Sequence, residues 1–166
     1  MTATGSKSSG ALRAILCGGF VAGTIDIGSA AIINHLSPVM IMKVVAGGLL
    51  GRSAFNGDTS TAMIGMLLQW AMSLIIATIF VVAARLLPGL LRRWIASGVA
   101  YGVVTYFVMT HIVVPLSAIG NGTFPPFNPV KFCGDMIAMI LFGLIVAFFA
   151  QRFLRPDRPA SLKNTN

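Results

Sequence analysis

The chain has 166 residues, of which 56% are hydrophobic and 10% charged, and its formal net charge is +8. A soluble domain carries about 25% charged residues, so this composition excludes an ordinary water-soluble domain. The positive charge does not point to nucleic acid either: the basic residues flank apolar runs, where they attract anionic headgroups and orient insertion, and no polar domain presents a binding face.

In chain order, residues 1–10 are mostly Ser, Thr and Gly with one Lys and no apolar period, which predicts a flexible N-terminal tail. Residues 11–153 predict an all-α, polytopic membrane domain. Its first span covers about 11–33, an apolar run that continues through Ala31-Ile32-Ile33 and so argues against a cleaved signal peptide. Pro38 to Leu50 is apolar except for Lys43, but a helix of that length reaches only ~20 Å, short of the ~30 Å hydrocarbon core. It is expected to be a short interfacial or re-entrant helix, with a fifth span as the alternative. The second full span covers about 61–87 and ends at Pro88-Gly89. The third covers about 94–114 and stops at Pro115. The fourth covers about 132–153, and 154–166 form a basic tail. The loop from Ser117 to Pro129 is rich in Gly and Pro and predicts turns; Asn121-Gly122-Thr123 matches a glycosylation acceptor only formally.

With four spans, Lys7, Arg13, Arg85, Arg92, Arg93, Arg152, Arg155, Arg158 and Lys163 fall on one side, and Lys43, Arg52 and Lys131 on the other. Nine against three places both termini in the cytoplasm. Cys17 and Cys133 fall near opposite faces, too far apart for a disulfide, and read as small apolar fillers.

The chain has no glutamate and four aspartates, and one of them, Asp26, lies inside the first span. Intramembrane carboxylates are rare and face a bundle interior or a cavity. Gly19, Ala22, Gly23, Asp26 and Ala30 recur at helical steps, a stripe of small side chains that lets another helix approach closely. Two readings follow for Asp26: a proton- or cation-binding site, or a hydrogen-bonded residue that fixes helix pairing. Gln69 and Ser73 on the second span, and Tyr101, Thr105 and Tyr106 on the third, are candidates to face it, and Gln69, Ser73, Tyr101 and Thr105 to line a pathway. Gly98-x-x-x-Gly102 is a close-packing motif, and Tyr106 lies near it. Trp94, beside Arg92-Arg93, reads as an interfacial belt residue.

His35, Lys43, Arg52, Asp58, His111, Lys131 and Asp135 gather on the expected outer side, as a polar vestibule or as ordinary headgroup contacts. Asp135 alone would also suit a helix N-terminus. His35 and His111 lack metal-ligand or haem spacing, and no phosphate loop, nucleophile triad or metal motif occurs. No cofactor is expected, and an enzyme acting on lipid or quinone ranks last.

Gly23-Thr24-Ile25-Asp26, Gly47-Gly48-Leu49-Leu50-Gly51 with Ala54-Phe55-Asn56-Gly57, and Val113-Val114-Pro115-Leu116-Ser117 together resemble a group of small bacterial inner-membrane proteins distantly similar to the YagU-like family. The resemblance implies a multi-span inner-membrane protein and no particular reaction. The chain also resembles small multidrug exporters in its lone acid in the first of four spans, but that acid is Asp and residues 36–60 do not fit that group. The leading expectation is a structural or accessory membrane protein with the lipid bilayer, and a further membrane protein, as partners. The runner-up is a proton-coupled transporter or channel centred on Asp26. Because four spans enclose little volume, that role would call for a homo-oligomer.

Overall fold

The computed structural model describes residues 3–120, 122 and 128–154, and among them every regular element is helical. The elements are α1 (Ala3–Asn34), α2 (Pro38–Leu50) running into a 3₁₀ turn (Gly51–Asn56), α3 (Thr59–Leu86), the single turn α4 (Gly89–Arg92), α5 (Trp94–Val108), a π-helical turn (Met109–Val113), α6 (Val114–Leu116) and α7 (Pro129–Leu154). Five helical stretches, 9–34, 38–56, 59–86, 94–116 and 129–154, are long and apolar enough to cross a membrane. Large apolar side chains cover the outside, among them Ile32, Ile75, Leu86 and Ile137, each at least 60% exposed. Such a surface is untenable in water and natural in hydrocarbon.

Helix boundaries follow local chemistry. Ser37 and Asn128 each cap a helix that has Pro at its first position: Ser37 Oγ accepts from the Met40 amide at 3.2 Å, and Asn128 Oδ1 from the Val130 amide at 3.0 Å. Asp58 caps α3 by accepting from the Ser60 and Thr61 amides. α1 closes with the Leu36 amide on the Ala31 carbonyl and the His35 amide on that of Ile32, with His35 in the left-handed region (φ 53°). Pro115, which has no N–H to donate, follows the π turn, whose wider bonding includes the Val114 amide reaching the Met109 carbonyl.

Glycines set the helix crossings. A Cβ on Gly98 would lie 3.0 Å from the Gly143 carbonyl oxygen, and one on Gly102 would lie 2.6 Å from Ile140 Cα. α5 and α7 therefore meet backbone to backbone, as the Gly98/Gly102 spacing predicts. On α1, Gly19 meets Leu74 and Gly23 meets Ser73, while Gly18 meets Val146, so α1 lies between α3 and α7. The main core joins these helices through Ala14, Ala22, Ala77, Phe80, Phe142 and Val146.

The contacts also fix the course of the chain. Gly19 against Leu74 and Asp26 against Gln69 make α1 and α3 antiparallel. Asn34 at the end of α1 and Thr59 at the start of α3 therefore share one end of the bundle. α2 and its 3₁₀ turn leave that end at Ser37 and return to it at Asn56. The Ala118 amide, in the loop after α6, donates to the Gly48 carbonyl at 2.9 Å, and Gly65 packs on the Met42 carbonyl. A segment that starts and finishes at one end is re-entrant or interfacial, even though 38–56 is apolar and long enough to cross. Four helices run the length of the bundle, and the beginning of α1, the α3–α5 connection and the end of α7 share the other end.

Two expectations on the tails need comment. Helix α1 begins at Ala3 and not near residue 11, and Gly10 lets it pass close over the Phe153 carbonyl. The tail at 155–166, with Arg155, Arg158 and Lys163, lies outside the described residues, as do Asn121 and Thr123 of the acceptor triplet.

Candidate functional site: a pocket with two aspartates

Asp26 is half-buried on the face of α1 that turns toward α3, and the Gln69 side-chain amide donates to its Oδ2 at 2.8 Å. The small-residue stripe makes this contact reachable, because Gly19 and Gly23 bring α3 close. Ser73, buried on the same face of α3, packs against Gly23 one turn away. Trp70 donates to the Thr24 hydroxyl at 3.3 Å and meets Phe20 edge-on, so it is a packing residue of this crossing.

Beside Asp26 lies a pocket of about 150 Å³ lined by Asp26, Ala30, Ile33, Tyr106, Met109, Thr110, Asp135, Ala138 and Met139. Residues 26, 30 and 33 come from α1, 106 from α5, 109 and 110 from the π turn, and 135, 138 and 139 from α7. At 1.5 Å per residue, Asp26, Thr110 and Asp135 lie ~9–12 Å inward from the end that carries Asn34 and Pro129. The pocket is therefore in the apolar body of the bundle and in one half of it.

The candidates fall into two groups. Asp26, Gln69, Ser73 and Asp135 come together around the α1 crossing. Tyr101 does not join them: its hydroxyl donates to the Ile76 carbonyl at 2.7 Å, and Thr105 is buried outside the pocket lining. The third span contributes its next polar pair, Tyr106 and Thr110, which sit four residues apart and so share a face. The polar set His35, Lys43, Arg52, Asp58, His111 and Asp135 does not close into one vestibule. His35, Arg52 and Asp58 are exposed, Asp58 being occupied as a cap; Lys43 sits on α2 and the His111 ring lies against Phe107. Only Asp135 turns into the bundle. Lys131, one turn before it, donates to Asn34 Oδ1 at 3.0 Å and ties the starts of α7 and the end of α1 together. Cys17 and Cys133 are free thiols.

Few of the side-chain polar atoms in this pocket have a partner among the described residues. Among the described residues, Gln69 is the sole hydrogen-bond partner of the Asp26 carboxylate, and Asp135 has none. Tyr106 is 94% buried, being 6% exposed, and its contacts among the described residues are ring contacts with Phe107 and Phe132, with no partner for its hydroxyl. Among the described residues, no Lys, Arg or His lines the pocket.

An all-helical bundle with a largely apolar exterior along its long helices and glycine-set crossings is the build of an integral, polytopic membrane protein. No protein-family model, curated protein or solved structure matches the chain.

Proposed function

We propose that this is a small membrane protein whose Asp26–Asp135 pocket binds a proton or small cation as part of a transport function. The observation that carries the reading is that two carboxylates from different helices line one pocket in which no basic side chain stands among the described residues. Charged groups at this depth are costly and mark ion pathways or proton relays. The π turn that supplies Met109 and Thr110 supports it, because such turns concentrate at functional sites. With so few spans, a continuous pathway would need a homo-oligomer. Five described arginines, Arg13, Arg85, Arg92, Arg93 and Arg152, sit at the end holding the start of α1 and the end of α7, which favours a cytoplasmic location for that end. The YagU-like resemblance adds a bacterial inner membrane.

The test is proton and cation flux in proteoliposomes, with Asp26→Asn and Asp135→Asn as variants. Transport requires flux in the wild type that either variant abolishes while the protein still inserts and stays folded. The second reading, a structural or accessory protein, is favoured by the Asp26–Gln69 hydrogen bond, which pairs α1 with α3 by itself. It predicts no flux, a marked loss of stability in Asp26→Asn, and little effect of Asp135→Asn.

A further inference from the structure

We propose that the pocket takes a primary alkylammonium, a short carbon chain ending in –NH₃⁺. The inference rests on the cation reading above and names the cation. A cavity of about 150 Å³ is large for a bare ion and suits a ligand of about six non-hydrogen atoms, since an engineered cavity of that size in an unrelated protein takes benzene. The polar lining has acceptor capacity to spare: the Asp135 carboxylate, the Asp26 oxygen that Gln69 does not reach, and the Tyr106 and Thr110 hydroxyls, each of which can accept one hydrogen bond while donating another. An –NH₃⁺ group offers three donors and a charge, which these acceptors can share. Ala30, Ile33, Met109, Ala138 and Met139 make up the rest of the wall and suit methylenes, and methionine adapts to a flexible chain.

Divalent metals fit less well. Mg²⁺ and Ca²⁺ call for six or more oxygen ligands, and among the described residues no three His, Cys, Asp or Glu side chains gather. A quaternary ammonium would gain the charge but offers no N–H, so it forms none of the charge-assisted hydrogen bonds open to –NH₃⁺. The ammonium could arrive free or as the ethanolamine headgroup of a lipid, and both carry the same chemistry.

The test is the thermal unfolding midpoint of the full chain in phosphatidylglycerol nanodiscs at constant ionic strength, titrated with n-butylammonium, tetramethylammonium, K⁺ and 1-butanol. The expected result is a saturable rise with n-butylammonium alone, weakened ~10-fold or more in Asp135→Asn. Tyr106→Phe, which keeps the ring and removes the hydroxyl, should weaken it less, and both variants avoid disturbing the Asp26–Gln69 contact. If the rise appears only when phosphatidylethanolamine is added, and is lost in Asp135→Asn, the ligand is the lipid headgroup. If K⁺ or tetramethylammonium stabilises as well as n-butylammonium in an Asp135-dependent way, the alkylammonium assignment fails and the cation pocket stands. If no cation has an Asp135-dependent effect, the alkylammonium assignment and the small-cation reading both fall, and the proton reading is decided by the flux test.

Discussion

Gln69 holds one oxygen of Asp26 and leaves the carboxylate facing a pocket that a second aspartate shares. Whether the Gln69 contact stabilises the bundle can be measured apart from any transport role. In a double-mutant cycle of Asp26→Ala and Gln69→Ala, the coupling energy should be about 0.6–2 kcal/mol, the range for interhelical hydrogen bonds in membranes. Unfolding of the detergent-solubilised single and double variants gives the value, and additivity within about 0.3 kcal/mol would remove the pairing role. At this scale the sequence was half legible. The helical stripe from Gly19 to Ala30 shows where Asp26 points, and Gln69 is the nearest polar side chain of the following span at matching depth. Asp135 reads as a helix-terminus acid because nothing local says that α7 packs against α1. Thr110 is missed, and Tyr106 is not singled out from Tyr101 and Thr105, for a related reason. Tyr101 and Thr105 are spaced as well as Tyr106 and Thr110, and only the packing of α5 on α7 chooses between the two faces. Residues 109–113 also leave the α-helical period, which shifts any face drawn from a 3.6-residue repeat.

The helices themselves are set by where backbones must touch. Gly102 is tightly enclosed: a Cβ there would meet the Ile140 backbone, and one on Gly143 would meet Gly102 in turn. Gly28 is on α1 with nothing within 4 Å of a Cβ. Two glycines in the same fold should therefore respond in opposite directions. Gly102→Val must push α5 from α7 and should cost about 1–3 kcal/mol or more. Gly28→Ala should be neutral or stabilise by about 0.4–1 kcal/mol through reduced freedom of the unfolded chain. Thermal unfolding of both variants in one detergent decides the matter, and equal losses would mean that α5 and α7 do not cross where these glycines place them. Some boundaries were legible because breaks are local: Pro88-Gly89 ends α3 and Pro38 starts α2, whereas α7 starts at Pro129, ahead of the expected 132, because Asn128 caps it. The crossing of α5 with α7 was legible only as half of a motif. Gly98 and Gly102 announce a close approach but not its partner.

At the scale of the whole molecule, the open question in the sequence is what 38–56 does, and its answer sets the topology. Length and hydropathy alone favour a crossing, since the 3₁₀ turn extends α2 to 19 residues. The neighbours of the segment decide otherwise. Because α1 and α3 are antiparallel, a crossing by 38–56 would have to deliver the chain to the wrong end of α3. Three single-cysteine variants in a Cys17→Ser, Cys133→Ser background separate the two cases: Leu36→Cys before the segment, Ser60→Cys after it, and Leu87→Cys at the opposite end of α3. All three positions are exposed. A membrane-impermeant thiol reagent should reach Leu36→Cys and Ser60→Cys from one side and Leu87→Cys only from the other. Labelling of positions 36 and 60 from opposite sides would establish a fifth span and overturn the same-end path. The side itself is a separate result. Intact cells should label 36 and 60 and not 87, because the arginine-rich end is expected in the cytoplasm. The reverse pattern would keep the re-entrant segment while inverting the protein, and would place the two-aspartate pocket in the cytoplasmic half of the membrane.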